Sequence, residues 1–291
     1  MNKLPEIYRL EFYTMSTDRH KMARPPHEAY LYFPEDKEII EYNPEKPFKT
    51  IRKIFHGGVE FNNFEQEKIH ALYDEIDKIN NNASINNKKM IKLPTFWKME
   101  DSLRFLQANK YNILKTIDDL KRHFHWRKEH LVTEVTYKAI QLLNSSFLYV
   151  HGRDSRFRPM IVLVLRNYKN YDYADWQIAI IYILEYIIRN LFIPGQIESW
   201  NILCDIKGIR TFMPAKEIKN IFHLFYDNYK CRLNRMWIVN AGTLSATLAS
   251  KEIFVDKYDI NKVEFTSTNN KEIFKHVHPS QIESKYNGTA V

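Results

Sequence analysis

The residues with the clearest chemical character in this 291-residue chain are three cations that adjoin an apolar run. The stretch NYKCRLNRMWIVNAG, residues 228–242, places Lys230, Arg232 and Arg235 beside the segment MWIV. Guanidinium and ammonium groups favour acidic partners, and the formal charge of +8 with a pI near 9.2 extends this preference to the whole chain. An anionic bilayer, phosphate esters and nucleic acid all fit that charge, so charge alone does not choose among them.

Other residue types that support chemistry lack the spacing that it needs. The pairs His123/His125 and His276/His278 have no further ligands in the pattern of a zinc site. Cys204 has no base near it in sequence, and the chain contains no G-x-S-x-G, Walker or dinucleotide-binding fingerprint. We therefore expect a protein that is not an enzyme, with no metal and no cofactor apart from a bound ligand.

Composition predicts a cytoplasmic protein. Two cysteines, Cys204 and Cys231, are few for a disulfide-stabilised secreted domain. Arg9 and Glu11 interrupt the place where a signal peptide needs an apolar centre. The most apolar segment, residues 178–195, contains charged residues and is shorter than the roughly 20 apolar residues of a membrane span, so it predicts a buried helix.

Proline and helical spacing divide the first half of the chain. Residues 1–60 are rich in proline and aromatic residues, which predicts an extension that is irregular or carries short strands and packs onto the body. Residues 61–144 carry apolar positions at helical spacing and predict a helical module. Within this module, the run NNNASINNKK at 80–89 predicts a loop, and Asp101 beside Ser102 predicts a helix cap.

Residues 145–291 alternate strand and helix patterns. The segments FLYVHGRD, RPMIVLVLRNY, WNILCDIKG, RMWIVNA and NKVEFT have strand character, with helical patterns between several of them. A strand that is apolar along its whole length is buried on both faces. These residues therefore predict an α/β domain whose parallel or mixed sheet is covered by helices.

Six segments in this order resemble the CRAL-TRIO family of lipid-binding proteins, which includes phosphatidylinositol and phosphatidylcholine transfer proteins. The segments are RFLQANKYNILKTIDDLKRHFHWRKEH, GRDSRFRP, LCDIKGI, DNYKCRLNRMWIVNAG, FVDKYDINKVEF and HPSQIESKYNGT. The resemblance spans about two thirds of the chain. It implies an all-helical N-terminal module followed by a mixed or parallel sheet, which floors an apolar lipid cavity closed by a lid helix.

The function implied by the resemblance is to bind a single lipid, phosphatidylinositol or a related acidic phospholipid, and to transfer or present it at membranes. An apolar strand would then line the acyl chains while the adjacent cations meet the phosphate. Acyl chains need such a cavity because exposing them to water costs about 0.8 kcal/mol per methylene. We expect a peripheral association with an anionic membrane surface.

The resemblance assigns the lipid headgroup to two cations. Arg232 corresponds to the arginine of the family signature, and Lys262 corresponds to the second cation, which follows the lid. The planar guanidinium suits phosphate because it donates two parallel hydrogen bonds. At the other headgroup positions Cys231, Asn109 and Asp259 depart from the family pattern, so the sugar site is predicted to be altered.

The resemblance also assigns the cavity and its lid. The predicted pocket residues are Ile161, Leu163, Leu165, Trp200, Ile202, Cys204, Trp237 and Val239. The predicted lid runs from Thr243 to Val255 and carries Leu244, Leu248, Ile253 and Phe254. Because Trp200 and Ile202 replace hydroxyl residues that bind choline lipid, we expect poor binding of phosphatidylcholine, and a sterol or isoprenoid remains an alternative ligand.

Two further alternatives stay open. The turn cations Arg153, Arg156 and Arg158 suit either membrane docking or a solvated turn. The domain could also act as a membrane-recruiting scaffold, with residues 1–60 binding a protein partner. We expect no nucleic-acid binding, because the aromatic residues lie mostly in apolar runs rather than among cations.

Overall fold

The chain forms two compact units in a computed structural model. The described residues are 24–85, 90–131, 135–168, 171–207, 215–240, 261–266 and 271–290. One unit, here called the helical unit, comprises Phe33–Glu129 and Pro194–Glu198. The other, the sheet unit, contains the described residues up to Tyr32, from His130 to Ile193 and from Ser199 onward.

Eight helices and seven strands account for most of the described residues. The helices are α1 (His27–Tyr30), α2 (Asp36–Ile39), α3 (Asn63–Ile85), α4 (Met99–Ala108), α5 (Ile113–His130), α6 (Tyr137–Asn144), α7 (Tyr173–Asn190) and α8 (Ala215–Asn228). The strands are β1 (Ile40–Glu41), β2 (Ile51–Arg52), β3 (Leu148–Arg153), β4 (Pro159–Val164), β5 (Trp200–Asp205), β6 (Leu233–Val239) and β7 (Val263–Phe265).

Helical periodicity builds the core of the helical unit. Its three long helices each bury one apolar side, as positions three and four residues apart lie on one face. The fully buried members are Ile69 and Leu72 in α3, Leu103 and Leu106 in α4, and Ile117 and Leu120 in α5. The predicted helical pattern is therefore present in the structure.

The asparagine-rich run was predicted as a loop, but α3 continues through it to Ile85. Asparagine is a weak helix former, yet two tertiary contacts hold this last part of α3. Asn80 exchanges two hydrogen bonds with the backbone of Ile91, at 2.9 and 2.7 Å, and Ala83 is buried. Tertiary bonding thus outweighs local propensity at this position.

Residues 33–60 belong to the helical unit because a buried ion pair ties them to α3. Arg52 donates two hydrogen bonds, of 2.8 and 2.6 Å, to the carboxylate of Glu65, and both side chains are buried. Helix α6, by contrast, packs against α7 and β3 in the sheet unit. The division into units therefore differs from the predicted boundaries after residues 60 and 144.

Glu198 holds the short segment Pro194–Glu198 in the helical unit. Its carboxylate accepts hydrogen bonds from the backbone nitrogens of Phe55, His56 and Gly195, at 2.8 to 3.1 Å. Arg104 also donates to it, and so does Nδ1 of His56 at 3.1 Å. A buried carboxylate needs such donors, because without them its charge would be strongly disfavoured.

The sheet unit contains a five-stranded mixed sheet in the order β3-β4-β5-β6-β7. Strand β3 is antiparallel to β4, and the remaining neighbours are parallel. This confirms the mixed or parallel sheet expected from the strand that is apolar along its whole length. Helix α7 is largely buried, as predicted, and none of the described helices is long and apolar enough to cross a bilayer.

The irregular end of β3 depends on a glycine. Gly152 has φ +72° at the point where the β3–β4 register shifts, and a Cβ atom there would lie 2.1 Å from the carbonyl oxygen of Gln281. We predict that Gly152→Ala lowers the free energy of unfolding by more than about 2 kcal/mol, since it combines left-handed strain with a backbone clash. Urea denaturation followed by circular dichroism measures this.

Gly58→Ala is the matched control, because Gly58 has φ +81° but nothing within 4 Å of the added Cβ. It should cost only the backbone strain, about 1 kcal/mol. Equal losses in the two variants would show that the contact between Gly152 and Gln281 adds nothing.

His56 should make stability depend on pH. Burial by itself lowers its pKa, but hydrogen bonds to Asp101 and Glu198 and the charge of Glu198 outweigh burial, so the pKa is raised above 6.5. Protonated His56 therefore stabilises the fold fully below that value, and the contribution is lost as pH rises through the raised pKa. We predict that the free energy of unfolding decreases as the pH rises above about 6.5.

The variant His56→Gln is the control for this pH dependence, because glutamine does not titrate. The difference between the two stability curves isolates the imidazole from other titrating groups. Parallel curves for the two proteins over that range would contradict the prediction.

Candidate functional site

The two faces of the sheet are built from alternating residues of the same strands. One face, here called the tail face, carries Met160, Val162, Val164, Leu203, Trp237 and Val239 and packs against the C-terminal residues Ile273, Val277, Ile282 and Tyr286. The opposite face, here called the Trp200 face, carries Ile161, Leu163, Trp200, Ile202, Cys204, Met236 and Ile238. Both faces are buried.

The strand register divides the predicted pocket residues between these faces. Ile161, Leu163, Trp200, Ile202 and Cys204 share the Trp200 face. Leu165 is buried at the start of the 3₁₀ turn that follows β4.

The assignment of Trp237 and Val239 to the same pocket is corrected, because both lie on the tail face. Strand β6 pairs Met236 with Ile202 and Ile238 with Cys204, so Met236 and Ile238 are the residues of β6 that lie on the Trp200 face. The sequence shows MWIV as apolar throughout, and only the pairing with β5 determines which residues share a face.

An aromatic cluster surrounds Trp200 at the beginning of β5. Its indole stacks on the ring of Phe192, with centroids 5.7 Å apart and planes at 17°. Phe225 and Tyr229 meet it edge-on, at 6.4 and 5.9 Å. The sequence analysis did not identify Phe192, Phe225 or Tyr229, although Phe225 and Tyr229 are one helical turn apart, a spacing that indicates a shared face.

The two predicted headgroup cations lie at one edge of the sheet, where the parallel strands β5, β6 and β7 begin. The carbonyl of Arg232 accepts a hydrogen bond of 2.8 Å from the backbone nitrogen of Trp200. The ammonium of Lys262 donates to the carbonyl of Leu233, also at 2.8 Å. The guanidinium of Arg232 lies 5.2 Å from the centre of the Phe192 ring, as a cation–π contact.

Of the remaining headgroup candidates, the described residues include Cys231 and Asn109. Cys231, next to Arg232, is half-buried and has φ +55°. Asn109 lies in the helical unit, where its amide donates to the carbonyl of Phe105 and to Asp119, at 3.0 and 2.9 Å. Asp259 lies outside the described residues, as do the lid residues Leu244, Leu248, Ile253 and Phe254.

Other cations of the region have structural partners. Arg235, the third cation beside the apolar run, forms an ion pair with Glu264. Arg153 is buried and donates to the carbonyl of Phe157 at 2.6 Å. Arg158 pairs with Asp154 at 3.3 Å. Arg153 and Arg158 therefore stabilise the turn after β3, which weakens the interpretation of this turn as a docking surface.

Glu185 is a buried acid of α7 next to the aromatic cluster. The hydroxyl of Tyr229 donates to its carboxylate at 3.3 Å, and Arg189 donates to it at the same distance. These two donors compensate the desolvation of the carboxylate. Tyr229 thus uses its hydroxyl for Glu185 while its ring contacts Trp200.

No nucleophile or metal centre emerges from the described residues. Cys204 is fully buried in β5, and burial strongly raises the pKa of its thiol, which keeps it protonated and inert. Within the described ranges no three histidine, cysteine or acidic side chains are grouped as metal ligands would be.

The two cysteines should differ in reactivity. We predict that DTNB modifies a single thiol in the native protein, at Cys231, because Cys204 is buried and its thiolate is disfavoured. Absorbance at the end point measures the number of thiols. Cys231→Ser should abolish the reaction in the native state, and both thiols of the wild type should react in denaturant. A native reaction that persists in Cys231→Ser would contradict the burial of Cys204.

Comparison with known proteins identifies a family. The model of the CRAL/TRIO domain family matches residues 143–288, which is half of the chain. The phosphatidylinositol transfer protein PDR17 of Saccharomyces cerevisiae is 24% identical over 235 residues, which cover 75% of this chain and 65% of that protein. The phosphatidylinositol/phosphatidylcholine transfer protein SFH12 of Arabidopsis thaliana is 26% identical over 164 residues, which cover 48% of this chain and 30% of that protein.

The chain therefore spans less than two thirds of the length of these relatives. Among solved structures, the crystal structure of Sfh5 superposes with a TM-score of 0.53 at 14% identity. This superposition covers 73% of the present chain and 84% of that one. At this level of identity the match concerns the fold alone.

Proposed function

Because the chain belongs to the CRAL/TRIO domain family, we propose that it binds one phospholipid molecule and transfers or presents it at membranes. The acyl chains would lie against the Trp200 face. The phosphate would lie near Arg232 and Lys262. In this proposal the protein acts as a carrier, works in the cytoplasm and docks on anionic bilayers, which its charge of +8 favours.

The observation that carries the proposal is the position of Arg232 beside the Trp200 face, with Lys262 at the same end of the sheet. The guanidinium of Arg232 lies over the ring of Phe192, which stacks on Trp200, and the ammonium of Lys262 donates to the carbonyl of Leu233 at the beginning of β6. A molecule with an anionic end and a long apolar part fits both features. A soluble phosphate ester would not need the apolar face, and a neutral lipophile would not need the cations.

Phosphatidylinositol is the proposed lipid, since PDR17 and SFH12 are both named for phosphatidylinositol transfer. Cys231 supplies a thiol beside Arg232, where it would face the inositol ring as a weak hydrogen-bonding group. Asp259 and Asn109 remain predictions for this headgroup, and Leu244, Leu248, Ile253 and Phe254 remain predictions for the lid. A binding role for a protein partner at residues 1–60 also remains a prediction.

The first test is mass spectrometry of the organic extract from native protein incubated with mixed phospholipid vesicles. Stoichiometric phosphatidylinositol or a phosphoinositide is the expected result. A sterol or isoprenoid in its place would replace the proposed ligand with the neutral alternative that the bulk of Trp200 permits. Protein that extracts no lipid would favour the scaffold function instead.

The second test removes the cations. We predict that Arg232→Gln and Lys262→Gln each reduce phosphatidylinositol transfer between vesicles by roughly tenfold or more, since each loses a charged hydrogen bond to phosphate. Fluorescent phosphatidylinositol in donor vesicles reports the rate. Bound phosphatidylinositol should also slow the reaction of Cys231 with DTNB in the wild type.

Lys216→Gln is the matched control, because Lys216 is an exposed cation of α8 and its loss changes the net charge equally. A uniform decrease in all three variants would mean that the cations act only through net charge at the membrane. Unchanged transfer in Arg232→Gln and Lys262→Gln would remove the headgroup assignment.

A further inference from the structure

Trp200 has a buried hydrogen-bond donor without an acceptor among the described residues. The indole is 1% exposed, and its Nε1 has no hydrogen-bond partner in that part of the chain. Among the described residues of the sheet unit, it is the one buried side-chain nitrogen or oxygen atom in this condition. A buried N–H without an acceptor is disfavoured, and the indole of a buried tryptophan usually finds one.

Trp237 provides an internal comparison on the opposite face of the same sheet. Its indole is also fully buried, but its Nε1 donates to the carboxylate of Glu264 at 3.0 Å. The tail face thus satisfies its tryptophan from within the chain. The Trp200 face does not, although it is the face against which the proposed ligand would lie.

The neighbours of Trp200 explain why its N–H has no acceptor. Phe192 and Phe225 contact it through hydrocarbon rings, which carry no conventional acceptor. Tyr229 contacts it edge-on, but the hydroxyl of Tyr229 is engaged by Glu185. The indole therefore presents a polar donor in an apolar setting, where a ligand oxygen would form a strong bond.

The distance between this donor and the headgroup cation restricts the ligand. Arg232 lies 5.2 Å from the Phe192 ring centre, and that centre is 5.7 Å from the indole centre. The guanidinium carbon and the indole centre are therefore at most about 11 Å apart. In a glycerophospholipid the ester carbonyls lie between phosphate and acyl chains, a few bonds from the phosphorus, which suits this interval.

We propose that Nε1 of Trp200 donates a hydrogen bond to an ester carbonyl oxygen of a bound diacyl glycerophospholipid, an inference that rests on the proposed function. The site then recognises its ligand at three levels, namely phosphate, glycerol ester and acyl chain. A site that relies on a buried donor discriminates against analogues without the acceptor, because binding them leaves the donor unpaired. The protein therefore selects ester-linked over ether-linked lipid.

The experiment compares two phosphatidylinositols with the same chain length, one diacyl and one dialkyl. Each is presented to the full chain in phosphatidylcholine vesicles, and the bound lipid is quantified by mass spectrometry over a range of lipid fractions. Wild type should bind the diacyl lipid about tenfold more tightly, as expected for one hydrogen bond in a dry site. Trp200→Phe should lose this preference and bind the two lipids equally, since phenylalanine keeps a ring without the donor.

Trp237→Phe is the matched control, with the same chemical change on the tail face. It should keep the wild-type preference for the diacyl lipid but lose stability, because it breaks the bond to Glu264. Trp200→Phe should lose no stability from a broken hydrogen bond, because the indole N–H forms none with the described residues. Trp200→Phe is thus expected to lose the lipid preference and keep its stability, whereas Trp237→Phe is expected to keep the preference and lose stability.

The wild-type ratio alone keeps the inference falsifiable if Trp200→Phe fails to fold. Equal affinity of wild type for diacyl and dialkyl phosphatidylinositol would overturn the role of Trp200 and leave the proposed function intact. Binding of neither lipid would remove the proposed function and this inference with it. In ¹⁵N-labelled wild type saturated with each lipid, the indole proton of Trp200 should move further downfield with the diacyl lipid than with the dialkyl lipid, and equal shifts would contradict the carbonyl contact.

Discussion

A strand that is buried on both faces must direct each successive side chain to one of two interiors, and the sheet unit depends on this constraint. In β5 it separates Trp200, Ile202 and Cys204 from Asn201 and Leu203. The tail face is closed by the chain's own C-terminal residues and satisfies its polar groups internally. On the Trp200 face the indole N–H of Trp200 has no acceptor among the described residues, so the two faces differ in whether the chain satisfies their tryptophans.

Parallel pairing explains how a polar edge comes to lie beside an apolar face. Parallel strands start at the same side of a sheet, so residues that precede β6 and β7 become neighbours although they are far apart in sequence. Arg232 and Lys262 are both tied to this edge through backbone carbonyls, and Phe192 connects Arg232 to Trp200 by stacking. The phosphate of an amphipathic ligand would meet Arg232 while its apolar part lies against the Trp200 face, a short distance away.

Much of the fold could be predicted from the sequence because its signals are local. The apolar strand RPMIVLV indicated burial on both faces, and the structure has it as β4 in a mixed sheet. The structure departs from the local signals where tertiary contacts outweigh them. Asn80 bonds to Ile91 and keeps α3 helical through an asparagine-rich run, and Arg52 bonds to Glu65 and joins residues 33–60 to the helical unit.

The sequence by itself determined the chemical types at the site, since cations beside an apolar run and the motif order indicated a phosphate next to acyl chains. It could not determine the phase of β6, because MWIV is apolar at every position and only pairing with β5 assigns Met236 and Ile238 to the Trp200 face. Nor could it distinguish Trp200 from Trp237. Whether an indole N–H has an acceptor depends on which side chains the fold brings within 3.5 Å, and that is a property of tertiary structure alone.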